Sequence, residues 1–165
     1  MSLKSRIIVA YARTKLSSRK VSEDVENPLH DWVHLKVRNA FKRDEGFRKA
    51  LGRKELGEID RHTFEQYQLH RFRTQMRYVM ENSPYYQKRY AEAGIRPEDI
   101  RTMEDLDRVP LTDPSDLAEE PFLFLCLSQS KIARTFSTSG TSGKPKRLFY
   151  TSEDLLNIVD SIAAA

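Results

Sequence analysis

Thr138-Ser139-Gly140-Thr141-Ser142-Gly143-Lys144-Pro145-Lys146 lies between two short strand-like segments, residues 132–136 and 147–150. Gly140 and Gly143 permit backbone turns that side chains forbid, so successive N–H groups can converge on an anion. Thr138, Ser139, Thr141 and Ser142 add hydroxyl donors, and Lys144 and Lys146 add positive charge suited to a polyphosphate. Pro145 stiffens the exit and has no N–H to continue a helix. A Walker loop needs four residues between its glycines, with Ser or Thr directly after Gly-Lys, and it opens a helix. Here only Thr141 and Ser142 separate Gly140 from Gly143, and Pro145 follows Gly143-Lys144. A flexible Ser/Gly linker is the plain alternative. The flanking strand-like segments and the ordered Gly-Lys-Pro-Lys ending argue against it.

Outward from the loop, Thr151-Ser152-Glu153-Asp154 starts a helix through Leu155, Ile158, Val159 and Ile162. It reaches Ala165 without Gly, Pro or a basic last turn, which predicts a longer polypeptide. Upstream, residues 122–127 read as a third strand. Before that the chain is helical. Residues 27–51 form a helix after Pro28, with Trp32, Val33, Val37 and Phe41 as its stripe and Gly46 and Gly52 punctuating its end. Thr63-Phe64-Glu65-Gln66 reads as a capping box. The helix it opens carries Phe64, Tyr67, Phe72, Met76, Val79 and Met80 on one face. Ser83 caps the next helix, Pro84 suits its first turn, and Gly94 ends it. Thr102 and Thr112 precede short acidic helical stretches at 103–107 and 113–119, separated by Pro110.

With 165 residues, the chain fits one domain, or a domain plus part of another. The net charge of +4 weakly favours anionic partners and decides nothing among them. One cysteine, Cys126, sits in an apolar run and reads as a small buried hydrophobe; no disulfide can form within the chain, so a reducing, cytoplasmic setting is expected. Ile7-Ile8-Val9-Ala10-Tyr11-Ala12 is too short for a signal core or membrane span. Six basic residues (Lys4, Arg6, Arg13, Lys15, Arg19, Lys20) precede the first acid, Glu23, so residues 1–24 read as a basic arm or helix. Leu3, Ile7, Ile8 and Tyr11 would line one side if that helix lay on a membrane surface. His30-Asp31-Trp32-Val33-His34 mimics a zinc-peptidase helix but has Asp where Glu must be the base; a third ligand would have to come from His62, His70 or a carboxylate. His70-Arg71-Phe72-Arg73 with Arg77 and the basic arm could face nucleic acid, although basic residues on an outer helix face are usually only solvated.

The stretch Phe136–Lys146, written Phe-Ser-Thr-Ser-Gly-Thr-Ser-Gly-Lys-Pro-Lys, resembles the signature loop of adenylate-forming (AMP-binding) enzymes. Asn82-Ser83-Pro84-Tyr85-Tyr86 and Tyr90-Ala91-Glu92-Ala93-Gly94-Ile95 are similar to the phenylacetate–CoA ligase branch of that superfamily. Ile100-Arg101-Thr102-Met103-Glu104-Asp105-Leu106, Val109-Pro110-Leu111-Thr112, Asp116-Leu117 and Pro121-Phe122 follow in the same order. The similarity runs over residues 64–160, and residues 1–60 match no known pattern. Ser142 departs from the family's usual Thr but keeps a hydroxyl. Lys146 follows the wider superfamily more than this branch, which weakens phenylacetate as the expected acid.

The resemblance implies a mixed α/β fold, a helical N-terminal half leading into the first strands of a large domain that is cut short. Charge and patterning, together with the resemblance, divide the chain into a basic arm (1–24), a helical region (25–120) and the start of the AMP-binding core (121–165). The resemblance also implies a ligase fragment: a carboxylate and Mg-ATP give an acyl-adenylate and pyrophosphate, and coenzyme A then displaces AMP. Thr138, Ser139, Gly140, Thr141, Ser142, Gly143, Lys144 and Lys146 would hold the β- and γ-phosphates. The family's aromatic-Gly-x-x-Glu segment, ribose-binding aspartate, hinge and mobile lysine have no counterpart in these residues. No catalytic or metal-binding residue is therefore assigned, and the chain alone is expected to be inactive. The expected partners are an aryl or acyl carboxylic acid, ATP and coenzyme A, with the remainder of a ligase or a second copy as protein partner; neither nucleic acid nor a membrane span is expected. The contrasting reading is a stand-alone helical module that docks on nucleic acid or on a partner ligase subunit.

Overall fold

The computed structural model describes residues 28–138 and 144–162. The expected arm at 1–24 and the end of the last helix lie outside them. There are two compact units, Val33–Leu127 and a second that includes Ser128 onward.

The first unit opens within α1 (Pro28–Arg43), at Val33, and continues into α2 (Glu45–Leu51). The single helix expected over 27–51 is thus broken at Asp44. The Asp44 backbone N–H still bonds to the Ala40 carbonyl (2.8 Å), while its carboxylate accepts from the Phe47 amide (3.0 Å) and caps a new helix. Arg48 donates to the Phe41 and Lys42 carbonyls, at 2.8 and 2.9 Å, satisfying groups that the break would leave bare. Gly46 does not end a helix. It lies inside α2, where an added Cβ would stand 3.2 Å from both Asp44 Oδ1 and His70 Cε1. The residue that stops α2 is Gly52, at φ 67°.

Helix α3 (Arg61–Asn82) starts earlier than its expected capping box. Asp60 is the cap, accepting from the Thr63 amide at 2.7 Å, and so takes the role assigned to Thr63. The Thr63 side chain is instead fully buried, and its hydroxyl accepts from Arg53 (3.3 Å). Helix α4 (Pro84–Ala93) follows after one residue. Ser83, also fully buried, accepts the Tyr86 amide at 3.5 Å and donates its hydroxyl to the Leu123 carbonyl at 2.9 Å. Gly94 ends α4 at φ 62°, turning the chain so that Ile95 is buried. The acidic stretches become a 3₁₀ turn at Glu104–Arg108 and helix α5 (Pro114–Glu119).

Two clusters make the core of this unit. Val37, Phe41, Phe47 and Leu51 form one, with Phe64 and Tyr67 of α3 packed on it. Phe47 sits at its centre, edge-on to Phe41 and Tyr67 at ring separations of 6.4 and 5.6 Å. Leu69, Met76, Val79, Tyr90, Ile95 and Ile100 form the other, flanked by Phe72, Met80 and Cys126. Each such side chain contributes about 1.5–3 kcal/mol by leaving water. Trp32 and Val33, expected in the stripe of α1, are only half-buried.

Residues 122–127 are not the expected strand. Pro121–Phe124 is a 3₁₀ turn. Apolar composition suits either state, and the contacts with α4 decide it: Phe124 stacks on Tyr85 at 4.0 Å while Ser83 holds the Leu123 carbonyl. The Tyr85 hydroxyl donates to Asp116 at 2.6 Å. Burial and then this carboxylate push its phenol up to about 12, so it stays a donor at neutral pH.

The second unit holds β1 (Arg134–Ser137) and β2 (Arg147–Tyr150), antiparallel, with Ser137 opposite Arg147 and Arg134 opposite Tyr150. Helix α6 (Ser152–Ile162) follows directly. Its start is the predicted one: the Asp154 amide donates to Thr151 Oγ1 (3.1 Å) and the Thr151 amide donates back to Asp154 (2.8 Å). The described chain is mostly helical with one small sheet, as expected for part of an α/β protein.

Replacing Ser83 with Ala removes the cap of α4 and leaves the Leu123 carbonyl without its donor. Urea unfolding followed by circular dichroism should show a loss of about 1–3 kcal/mol. The Asp44–His70 contact (2.7 Å) makes a second prediction. Burial raises the Asp44 carboxyl, but the His70 hydrogen bond, the Phe47 amide and the His70 charge together hold it below its ordinary value. A carboxylate depressed on folding stabilises above its unfolded pKa, and that contribution is lost as pH falls through the folded value. The stability difference between the parent chain and Asp44→Asn should therefore shrink as urea midpoints are measured from pH 6 down to about 3.

Candidate functional site

The hairpin positions the site. Its strands bring the two ends of the glycine-containing stretch together, as an antiparallel ladder must. Phe136 and Tyr150, diagonal neighbours on one face, meet edge-on at 5.3 Å and help pin the register. Beyond the last strand pair, the Thr138 N–H donates to the Lys146 carbonyl and the Lys146 N–H donates to Thr138 Oγ1, both at 3.1 Å. Thr138 and Lys146 thus close the neck of the loop.

Of the eight residues expected to bind phosphate, the structure describes Thr138, Lys144 and Lys146. Ser139, Gly140, Thr141, Ser142 and Gly143 lie outside the described residues. Lys144 and Thr138 are exposed, and Lys146 is half-buried. The ladder alternates faces, so Lys146 lies on the face of Thr138, Phe136, Leu148 and Tyr150, whereas Arg147 lies on that of Ser137 and Phe149. Sequence reasoning passed over Arg147, an exposed cation one residue beyond the motif. It also treated the Thr138 hydroxyl only as a phosphate donor and missed its bond to Lys146. An antiparallel pairing of the two strand-like segments would have carried that signal, since residues just inside a hairpin's last pair must face each other.

Such a neck, with two lysines beside it, can hold an anion and neutralise charge. The other residues weighed from sequence have different occupations. Cys126 is half-buried against the second core cluster, and burial pushes its thiol up, away from the thiolate a nucleophile needs. His70 is held by Asp44; Arg73 donates to the Ile100 carbonyl at 3.2 Å and Arg77 to Glu98 at 2.9 Å. The basic cluster read as a nucleic-acid face is therefore engaged in holding the helices together at three of its positions. Among the described residues, no group of three or more His, Cys, Asp or Glu could hold a metal ion. No described helix is long and apolar enough to cross a membrane.

Phenylacetate-coenzyme A ligase from Pseudomonas putida is 34% identical over 109 residues, 66% of this chain and 24% of that protein. The resemblance to the phenylacetate–CoA ligase branch holds. The Thermus thermophilus enzyme is 34% identical over 110 residues, and that of Aromatoleum evansii 36% over 89 residues, 53% of this chain and 20% of theirs. The chain spans about a quarter of the length of the Pseudomonas and Thermus ligases. No family model matches. Among solved structures, 2-hydroxyisobutyryl-CoA ligase in complex with 2-HIB-AMP and CoA, in its thioesterification state, superposes with a TM-score of 0.52 at 25% identity. It covers 58% of this chain and 22% of that one. An open conformation of the same ligase gives 0.51 at 23% identity, over 58% of this chain and 23% of that one.

The environment of Cys126 is directly testable. At neutral pH an aromatic disulfide reagent should modify it about tenfold or more slowly than a free cysteine, and in urea at the free rate.

Proposed function

We propose that this chain is the phosphate-gripping N-terminal part of an ATP-dependent acid–CoA ligase of the phenylacetate–CoA ligase type. The observation that carries the reading is the closed neck between Thr138 and Lys146, which brings the ends of the Ser/Thr/Gly/Lys loop together beside two lysines. The similarity to phenylacetate-coenzyme A ligases supports the same reading.

In the whole reaction a carboxylate attacks the α-phosphate of ATP and pyrophosphate leaves; the thiol of coenzyme A then attacks the acyl carbonyl and AMP leaves. This chain's contribution is confined to the leaving side of the first step. The N–H groups of residues 139–143 and the hydroxyls of Thr138, Ser139, Thr141 and Ser142 would bind the β- and γ-phosphates, and Lys144 and Lys146 would meet the charge building on pyrophosphate. Fixed charge of that kind is often the largest single term in catalysis. The donor set fits a polyphosphate: it is cationic, rich in hydroxyls and carries no carboxylate within the motif. Mg²⁺ would arrive with the nucleotide, held mainly by its phosphate oxygens and water. Coenzyme A is the acceptor used by the matched relatives. The acid is an aryl or acyl carboxylate.

The reading makes a two-part prediction. The chain should bind tripolyphosphate by titration calorimetry, and Lys144→Ala with Lys146→Ala should weaken that binding about tenfold or more. With a panel of aryl and acyl acids, ATP and Mg²⁺, it should release no pyrophosphate, because the aromatic-Gly-x-x-Glu segment, the ribose-binding aspartate and the mobile lysine that the resemblance implies have no counterpart in these residues. Failure to bind tripolyphosphate would sink the proposal, and turnover would overturn the assignment of a partial role.

A further inference from the structure

We infer that Thr138 is a positioning residue that acts through Lys146, in addition to any contact its hydroxyl makes with phosphate. The inference rests on the polyphosphate reading above and assigns the neck a role that the motif alone does not.

An antiparallel hydrogen-bonded pair exchanges two backbone bonds, each N–H going to the opposite carbonyl. At the neck only one of the two is of that kind, the bond from the Thr138 N–H to the Lys146 carbonyl at 3.1 Å. The Lys146 N–H goes instead to Thr138 Oγ1, where a continuing ladder would use the Thr138 carbonyl. A side chain therefore replaces backbone in the rung that separates strand from loop. That substitution has three physical consequences. The Thr138 carbonyl is relieved of its ladder duty, so the backbone can turn out of the strand there. Lys146 is tied at both its N–H and its carbonyl to one residue, which fixes its Cα and the direction in which its side chain leaves. And the Thr138 hydroxyl, having accepted one bond through a lone pair, still has its own proton to donate.

The choice of threonine fits this work. Its β-branching restricts χ1, so the oxygen is held on the Lys146 amide at a smaller entropic cost than in serine. The aromatic pair of Phe136 and Tyr150, on the same face as Thr138 and Lys146, steadies the ladder below the neck. Lys146 is half-buried where Lys144 is exposed, consistent with a cation whose direction is set rather than free. In this arrangement Lys144 supplies charge near the mouth, and Lys146 supplies charge at one defined place.

The test uses the full chain with Thr138→Val, which keeps the shape and loses the acceptor, and Thr138→Ser, which keeps the acceptor. Hydrogen exchange of the Lys146 amide in the ligand-free chain should quicken about tenfold in T138V and recover in T138S, while the Phe136 and Leu148 amides keep their protection. Tripolyphosphate affinity should fall about tenfold in T138V, recover most of the way in T138S, and fall clearly less than in the parent when T138V is added to Lys146→Ala. Unchanged Lys146 exchange in T138V, or loss of protection along the whole ladder, would overturn the inference. So would additive losses of affinity in the double variant, which would make Thr138 a direct phosphate ligand only. If the unaltered chain fails to bind tripolyphosphate, the proposed function falls, and the positioning role falls with it; binding with additive losses removes the positioning role alone.

Discussion

Helix α3 has to face two ways, and the first unit is arranged around that requirement. Over 22 residues, about 33 Å, its apolar side chains meet one cluster through Phe64 and Tyr67 and another through Leu69, Met76 and Val79. Neither cluster is large, and neither closes without this shared wall. The helices before it must therefore fold back onto its first turns, and those after it onto its last. The break at Asp44 and the one-residue joint at Ser83 accomplish this. Both are polar residues whose side chains replace backbone bonds where a helix is interrupted.

The same device recurs at the hairpin, where Thr138 substitutes for a ladder carbonyl at the point where strand gives way to loop. Polar side chains of short reach are suited to such joints because they can satisfy an amide without occupying the space of another residue. In a phosphate loop the device has an added value. The loop must present bare N–H groups to an anion, so it cannot consume them in regular structure. In the proposed role, a stable neck would hold Lys146 in place without drawing on the N–H groups of the loop.

What could be read from the sequence was what neighbouring residues decide among themselves. Ser83-Pro84 and Gly94 bracket α4 as expected because cap, first-turn proline and left-handed stop are local chemistry. The Thr151–Asp154 cap and the two strands beside the loop were legible for the same reason. Thr63 was misplaced because Asp60, three residues earlier, offers a carboxylate to the same helix and wins the amide. Gly46 was taken for a stop because its need for space comes from His70, 24 residues away in sequence and close only in the fold. Residues 122–127 were taken for a strand because their composition permits one; the carbonyl of Leu123 is claimed by a serine 40 positions back, which no local pattern records. The role of the Thr138 oxygen depends on a register, and the motif specifies only its hydroxyl.

That misread segment has a consequence for how the chain behaves outside its native state. Phe122-Leu123-Phe124-Leu125-Cys126-Leu127 is six residues without charge, proline or glycine, the composition that stacks readily into cross-β fibrils. In the folded unit its first half is coiled into a turn against α4, with the Leu123 carbonyl held by Ser83 and the Leu123 and Leu125 amides bonded to the Glu120 and Phe122 carbonyls. Ser83, Tyr85 and the turn at Pro121 thus guard against self-association as well as shaping a joint. Handling this protein at high concentration, or near its unfolding temperature, amounts to deciding how often that guard is lifted.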